Sequence, residues 1–392
     1  MIYLDNNATT ALHPDVLDEM MPYLTESYGN ASSIQHKSGR IASTAVVKAR
    51  QQIANSLHAN EKEIFFNSGA TEAINTVIKG VFSLYSGKGK HIITSATEHK
   101  AVLTCCEYLQ KKGAEITFVP TDSNGMIDIT VLKDLIRPDT ILVALMAANN
   151  ESGVIHPIDE IASITKEKNT LFFCDATQYV GKVPLNLEKS MIDILCFSAH
   201  KFHGPKGVGA LYIRRKSKPT QIETLIHGGK QEHGFRGGTY NVPAIVGMGK
   251  ALELAVSDFT HQQKISGLRN LLESTILKEV PDTEVIASAV SRIANTSNIT
   301  FKHTKATEIM SRLNDIALSA GSACVSGDRD PSHVLKAMHR SDEEAFCSLR
   351  FSLSRFTTEE EIKETVTKLR TVVGQIREQS PVWQLYKDGL LD

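Results

Sequence analysis

The chain has almost no net charge: 43 Lys and Arg stand against 44 Asp and Glu, a formal balance of -1. A surface so evenly balanced has no overall field to attract nucleic acid or an anionic membrane, so neither is expected as a direct partner. Long hydrophobic runs are missing too. The longest purely apolar stretch, residues 141–148, is far too short to span a bilayer, and the first ten residues hold neither a basic start nor an apolar signal core. No export or membrane anchoring is expected. Cysteine is sparse: six residues (Cys105, Cys106, Cys174, Cys196, Cys324 and Cys347) in a chain of 392 do not suggest a disulfide framework and fit a reducing, cytoplasmic setting. Internal repeats and low-complexity linkers are absent as well.

What remains is an ordinary globular composition, 41% hydrophobic and 22% charged, long enough for two or three cores at roughly 150 residues per domain. Apolar positions recur at helical spacing over residues 15–24 and 40–57, with Pro14 opening the first helix and residues 29–33 breaking between them. Strand and helix then alternate. Strands are predicted at 63–66, 91–95, 115–120, 140–146, 171–174, 194–197 and 208–213, and helices from 67 onward and at 99–112, 129–136 and 158–168. Such alternation predicts an α/β fold with a mainly parallel sheet covered on both faces, whose ligands bind beyond the carboxyl ends of the strands. Helices at 244–256, 260–279, 306–313 and 359–378, with strands near 283–286 and 298–301, suggest a smaller second unit. The expected division is an N-terminal arm at 1–14, a large domain at 15–258 and a small one at 259–392.

The chemistry gathers at the strand ends. Between the apolar runs 194–197 and 208–213 lies a polar turn holding Ser198, His200, Lys201 and His203. A lysine in a partly buried turn loses hydration, which disfavours its ammonium and frees its amine to attack an aldehyde, while Ser198 and His200 offer donors to a phosphate. A solvated edge lysine is the ordinary alternative. Asn67-Ser-Gly-Ala-Thr71 follows another strand and opens a helix, so Gly69, Ala70 and Thr71 are candidate phosphate holders, or merely a helix cap. Asp175 ends a buried strand and suits a protonated ring nitrogen; Gln178 and Asn150 could reach a ring oxygen; His99 could stack on that ring and move protons. Capping roles would explain Asp175 and His99 alone. Thr239 and Arg236, in a glycine-rich loop, could reach a phosphate across a subunit boundary. Cys324 sits among small and polar residues rather than large apolar ones, as an accessible thiol would, and Arg350 could clamp a carboxylate unless it forms a surface ion pair.

Several stretches are recognisable together: Tyr3-Leu-Asp-Asn-Asn-Ala-Thr-Thr10, Ser68-Gly-Ala-Thr-Glu-Ala-Ile-Asn75, Thr97-Glu-His99, Asn149-Asn-Glu-Ser-Gly-Val154, Asp175-Ala-Thr-Gln178, Phe197-Ser-Ala-His-Lys201, Gly321-Ser-Ala-Cys324 and Leu349-Arg-Phe-Ser-Leu-Ser-Arg-Phe356. In order and spacing the chain resembles the cysteine desulfurases of the NifS and IscS type, within the class V aminotransferase group of pyridoxal-phosphate enzymes. The resemblance implies a fold type I homodimer, with a seven-stranded sheet in a large domain and a smaller α+β domain that the arm joins. It implies pyridoxal 5′-phosphate as cofactor, with Lys201 as its Schiff-base lysine, His99 over the ring, Asp175 on the ring nitrogen and Gln178 on the ring oxygen. Gly69, Ala70, Thr71, Ser198 and His200 would hold the phosphate, with Thr239 from the second subunit. Arg350 and Asn150 would bind L-cysteine, and Cys324 would take its sulfur as a persulfide for an acceptor such as an iron-sulfur scaffold or a thiolation enzyme. No metal is expected. The chain stops at Asp392, short of the C-terminal extension with which IscS-type members dock a scaffold, so the acceptor is left open. A selenocysteine lyase, a class V transaminase or a mere sulfur-relay binding partner are the rival readings.

Overall fold

The computed structural model describes residues 1–215, 219–320 and 330–390. The chain runs β1 (Ile2–Tyr3), α1 (Pro14–Thr25), α2 (Lys37–Leu57), β2 (Ile64–Asn67), α3 (Ala70–Tyr85), β3 (His91–Ser95), α4 (Lys100–Gln110), β4 (Glu115–Val119), α5 (Ile129–Leu135), β5 (Thr140–Met146), α6 (Ile158–Glu167), β6 (Leu171–Asp175), β7 (Ile194–Ser198) and β8 (Gly209–Ile213). It continues through α7 (Val242–Val256), α8 (Thr260–Glu279), β9 (Thr283–Val285), β10 (Thr296–Phe301), α9 (Ala306–Arg312), β11 (Ile316–Ala317), α10 (His333–Ala337), α11 (Asp342–Phe346), β12 (Ser348–Ser352), α12 (Glu359–Glu378) and α13 (Pro381–Lys387).

Seven strands form one sheet in the order β2-β8-β7-β6-β5-β3-β4. Pairing is parallel from β7 through β4, and β8 alone runs against both its neighbours. The alternation read from the sequence accounts for this, because each helical crossover returns the chain to a parallel neighbour. Side chains leave a strand on alternate faces, so neighbours enter different cores. Phe172 packs with α2 and α7 on one face, while Phe173 packs with α3 and α4 on the other. Both are fully buried, each contributing roughly 1.5–3 kcal/mol. All seven residues of β5 are buried, as a central strand covered on both faces requires.

A second sheet, β12-β10-β9, is antiparallel and packs against α8 and α12 in a separate core that also takes Ile2 and Leu4. The first residues therefore join the last part of the chain. β1 pairs with β11, and the backbone N–H of Asn6 donates to the carbonyl of Ser352 at 3.1 Å. The arm then turns to the large sheet, where Thr10 and His13 donate to the carbonyls of His200 and His203 at 2.9 and 3.0 Å. Strand β5 and helices α8 and α12 occupy the ranges expected of them. Helix α3 begins at Ala70 rather than 67, because Gly69 at φ 144° ends the turn before it. No helix among the described residues is long and apolar enough to cross a membrane.

Candidate active site

Beyond the carboxyl ends of the parallel strands lies a cleft of about 1070 Å³, lined by residues from five strand ends and the arm. It gathers nearly every residue singled out from the sequence. Gly69, Ala70 and Thr71 enter from the start of α3, His99 from the start of α4, Asn150 from beyond β5, Asp175 and Gln178 from the end of β6, Ser198, His200 and Lys201 from beyond β7, and Arg350 from β12.

Lys201 follows the last residues of β7 in a single helical turn, and its Nζ donates to the carbonyls of Asn7 and Ala8 at 2.6 and 2.8 Å. Burial, reinforced by the nearby Arg350 guanidinium, lowers its pKa to about 8, against the opposing pull of Asp175 and Asp5. Asp175 is buried, and its Oδ1 accepts the N–H of Thr177 at 3.0 Å. His99 caps α4, with Nδ1 accepting the N–H of Ala101 at 3.1 Å, so in the neutral ring the proton lies on Nε2. The ring opens on the cleft, yet the surrounding protein pushes its pKa down; Lys201 and His333 add to that and Asp175 opposes it.

The turn singled out as a candidate phosphate holder is built by close backbone approach. Gly69 takes a conformation that only glycine adopts readily, and a Cβ there would stand 3.2 Å from Ser198 Oγ. That hydroxyl accepts the N–H of Ala70 at 2.7 Å, so Ser198 fixes the first turn of α3. His200 contacts Thr9 Oγ1 through Nδ1 at 3.2 Å. Burial lowers its pKa to about 4, with Lys201 and Lys206 adding to the effect. A helix start, a hydroxyl, a lysine whose ammonium is disfavoured and a buried carboxylate in one cleft fit a phosphorylated pyridine aldehyde.

Other predicted residues are placed differently. Arg236 is engaged by Glu72 through Nε and Nη2 at 2.9 and 3.1 Å. Thr239 is exposed and lines a neighbouring cavity of about 230 Å³ that meets the cleft at Ser68 and Gly207. Arg350 forms no surface pair: it is buried, with Nη2 2.7 Å from Asp5 Oδ1 and Nη1 donating to the carbonyl of Asn150 at 3.0 Å. Cys324 lies outside the described residues.

Three participants escaped the sequence reading. Asn7 is a hub: its carbonyl takes Lys201 and Gln178, its Oδ1 takes Lys182 and Asn295, and its Nδ2 donates to Asn150 and Thr296. Lys182 is a second buried amine, with a pKa far below its ordinary value through burial and through Lys201 and Arg350. Glu98, fully buried beside Asp175, has its pKa raised by burial. Only the four-residue step from Gln178 to Lys182 was available as a signal, and a lysine in a turn reads as surface.

The aminotransferase class-V family matches residues 2–365. The chain belongs to that family. It is 45% identical over 392 residues to a protein of Shewanella loihica named cysteine desulfurase IscS, covering 99% of this chain and 96% of that one. A NifS-like protein of known structure superposes with a TM-score of 0.89 at 40% identity, over 95% of this chain and 99% of that one. A third relative, SspA solved in complex with cysteine, gives 0.80 at 34% identity, over 91% and 100% of the two chains.

Proposed function

We infer that this class-V protein is a pyridoxal-phosphate-dependent cysteine desulfurase, converting L-cysteine to L-alanine and taking the sulfur on Cys324. The observation that carries the reading is a lysine amine lowered to about 8 at a strand end, in one cleft with a buried carboxylate and a helix start. Bound there, the cofactor supplies an electron-withdrawing ring that stabilises negative charge at the substrate α-carbon. The protein's residues do the rest. Ser198, His200 and Thr71 would hold the phosphate, with Thr239 of a second copy, while the Gly69 and Ala70 N–H groups are already given to Asn67 Oδ1 and Ser198 Oγ and shape the turn instead; Asp175 would keep the ring nitrogen protonated, and Gln178 would serve the ring oxygen. Arg350 takes the substrate carboxylate, with Asn150 beside it. Lys201 would accept the α-proton, and His99 would present its Nε2–H to the substrate sulfur. The Cys324 thiolate forms an S–S bond to the substrate sulfur as the C–S bond breaks, and the electron pair leaves with the carbon skeleton, which gains protons and departs as alanine. The enzyme works as a cytoplasmic homodimer and passes the persulfide sulfur to an acceptor protein of iron-sulfur assembly or thiolation.

Brief exposure of the purified protein to L-cysteine, followed by peptide mass mapping with alanine measured in the same sample, tests the reading. One extra sulfur on the Cys324 peptide with matching alanine is expected. Bound cofactor with neither product would overturn it in favour of transamination or a selenocysteine substrate. Cys324→Ser keeps the cofactor and loses sulfur release.

A further inference from the structure

The chain buries one amine behind another. Lys182 is 9% exposed, and its Nζ donates to Gln178 Oε1 at 2.6 Å and to Asn7 Oδ1 at 3.3 Å, both neutral amide oxygens. The charged groups acting on it are the cations Lys201 and Arg350, and Lys182 in turn bears on the His200 and His203 rings. Behind it a cavity of about 30 Å³ is lined also by His261 and Arg355. Burial and the cations Lys201 and Arg350 disfavour the charged amine, and two of its N–H groups find two acceptors.

The partner that matters is Gln178. Its Oε1 is taken by Lys182, and one Nε2 hydrogen is given to the carbonyl of Asn7 at 2.9 Å, the same carbonyl that receives Lys201 at 2.6 Å. What Gln178 has left for the cleft is its second N–H. We propose that Lys182 is a positioning residue: by holding Gln178 Oε1 it fixes the amide so that a donor, not an acceptor, faces the cofactor's ring oxygen. The inference rests on the cofactor-binding reading of the cleft. A donor at that oxygen favours its anionic form and lowers the proton affinity of the adjoining Lys201 linkage. Without Lys182 only the bond from Nε2 to the Asn7 carbonyl resists turning the amide over.

The test is the pH midpoint of the visible absorption band of the pyridoxal-phosphate holoenzyme, read without substrate. In Lys182→Met the midpoint rises by about one pH unit or more, the scale of one hydrogen bond to a charged acceptor. Lys182→Gln, which keeps an N–H for Gln178 Oε1, returns most of that shift. Equal shifts in the two variants would mean lost charge rather than lost positioning, and would overturn the inference, as would an unmoved midpoint in Lys182→Met. Should Lys182→Met fail to fold, Gln178→Leu removes the donor directly: a raised midpoint there, with Lys182→Gln near wild type, supports the inference, and a wild-type midpoint overturns it. Failure of the wild-type protein to take up pyridoxal phosphate overturns the functional reading and this inference with it.

Discussion

Lys201 shows how far one side chain's surroundings set its chemistry. Its pKa near 8 arises first from burial and then from Arg350, so at neutral pH far more of it is free amine than in a solvated lysine. Uptake of pyridoxal phosphate by the apoprotein, followed by absorbance, therefore accelerates about tenfold per pH unit below 8 and levels off above it. A rate still climbing at about pH 10, where an ordinary lysine titrates, would refute this. Lys201, His99 and Asp175 stood out in the sequence because each closes or comes shortly after a strand-like run, and Arg350 because it interrupts one, with residue types that seldom stand there for packing. Asn7 and Lys182 were not: the contacts of Asn7 reach across 143 to 345 positions, and Lys182 matters through Asn7, 175 positions away, as much as through nearby Gln178, so no local pattern encodes them.

At the scale of elements, the loop after residue 230 is held by one buried ion pair. Glu232, at φ 48° and 2% exposed, binds Arg50 of α2 through two contacts of 2.6 and 2.9 Å and accepts the N–H of Phe66 from β2 at 2.8 Å. Glu232→Ala leaves Arg50 buried without its counterion, and a loss of about 3–5 kcal/mol is expected in urea unfolding. Replacing both, as Arg50→Met with Glu232→Leu, recovers most of it; a single variant as stable as the parent would contradict this account. The sequence marked this stretch as a loop, correctly in outline, but glycine-rich composition concealed the buried carboxylate. Longer elements were plainer. Strand β5 and helices α8 and α12 have enough periods for their spacing to be decisive, whereas β1, β11, α10 and α11 are two to five residues long and owe their form to partners.

For the whole molecule, a buried histidine is expected to contribute to the loss of stability in acid. His156 is fully buried with neither ring nitrogen bonded, and burial lowers its pKa to about 4. The unfolded chain binds a proton there near pH 6.5 and the folded chain does not, so stability falls as pH drops from 6.5 to 4 and is fully present above that window. This residue's share is on the order of 3 kcal/mol. Thermal unfolding of His156→Leu, compared with the parent at pH 7 and pH 4.5, is expected to show a shallower acid loss; parallel losses would exclude the role.

The arm that holds Lys201 is made first and completed last. Its bonds to β11 and Ser352 can form only after some nine-tenths of the chain exists, and until then Thr10 and His13 alone tie its backbone to the turn that carries Lys201. A chain cut before Ser348 would lack β12 and with it Arg350, so the cleft would lose one wall though its large sheet were whole.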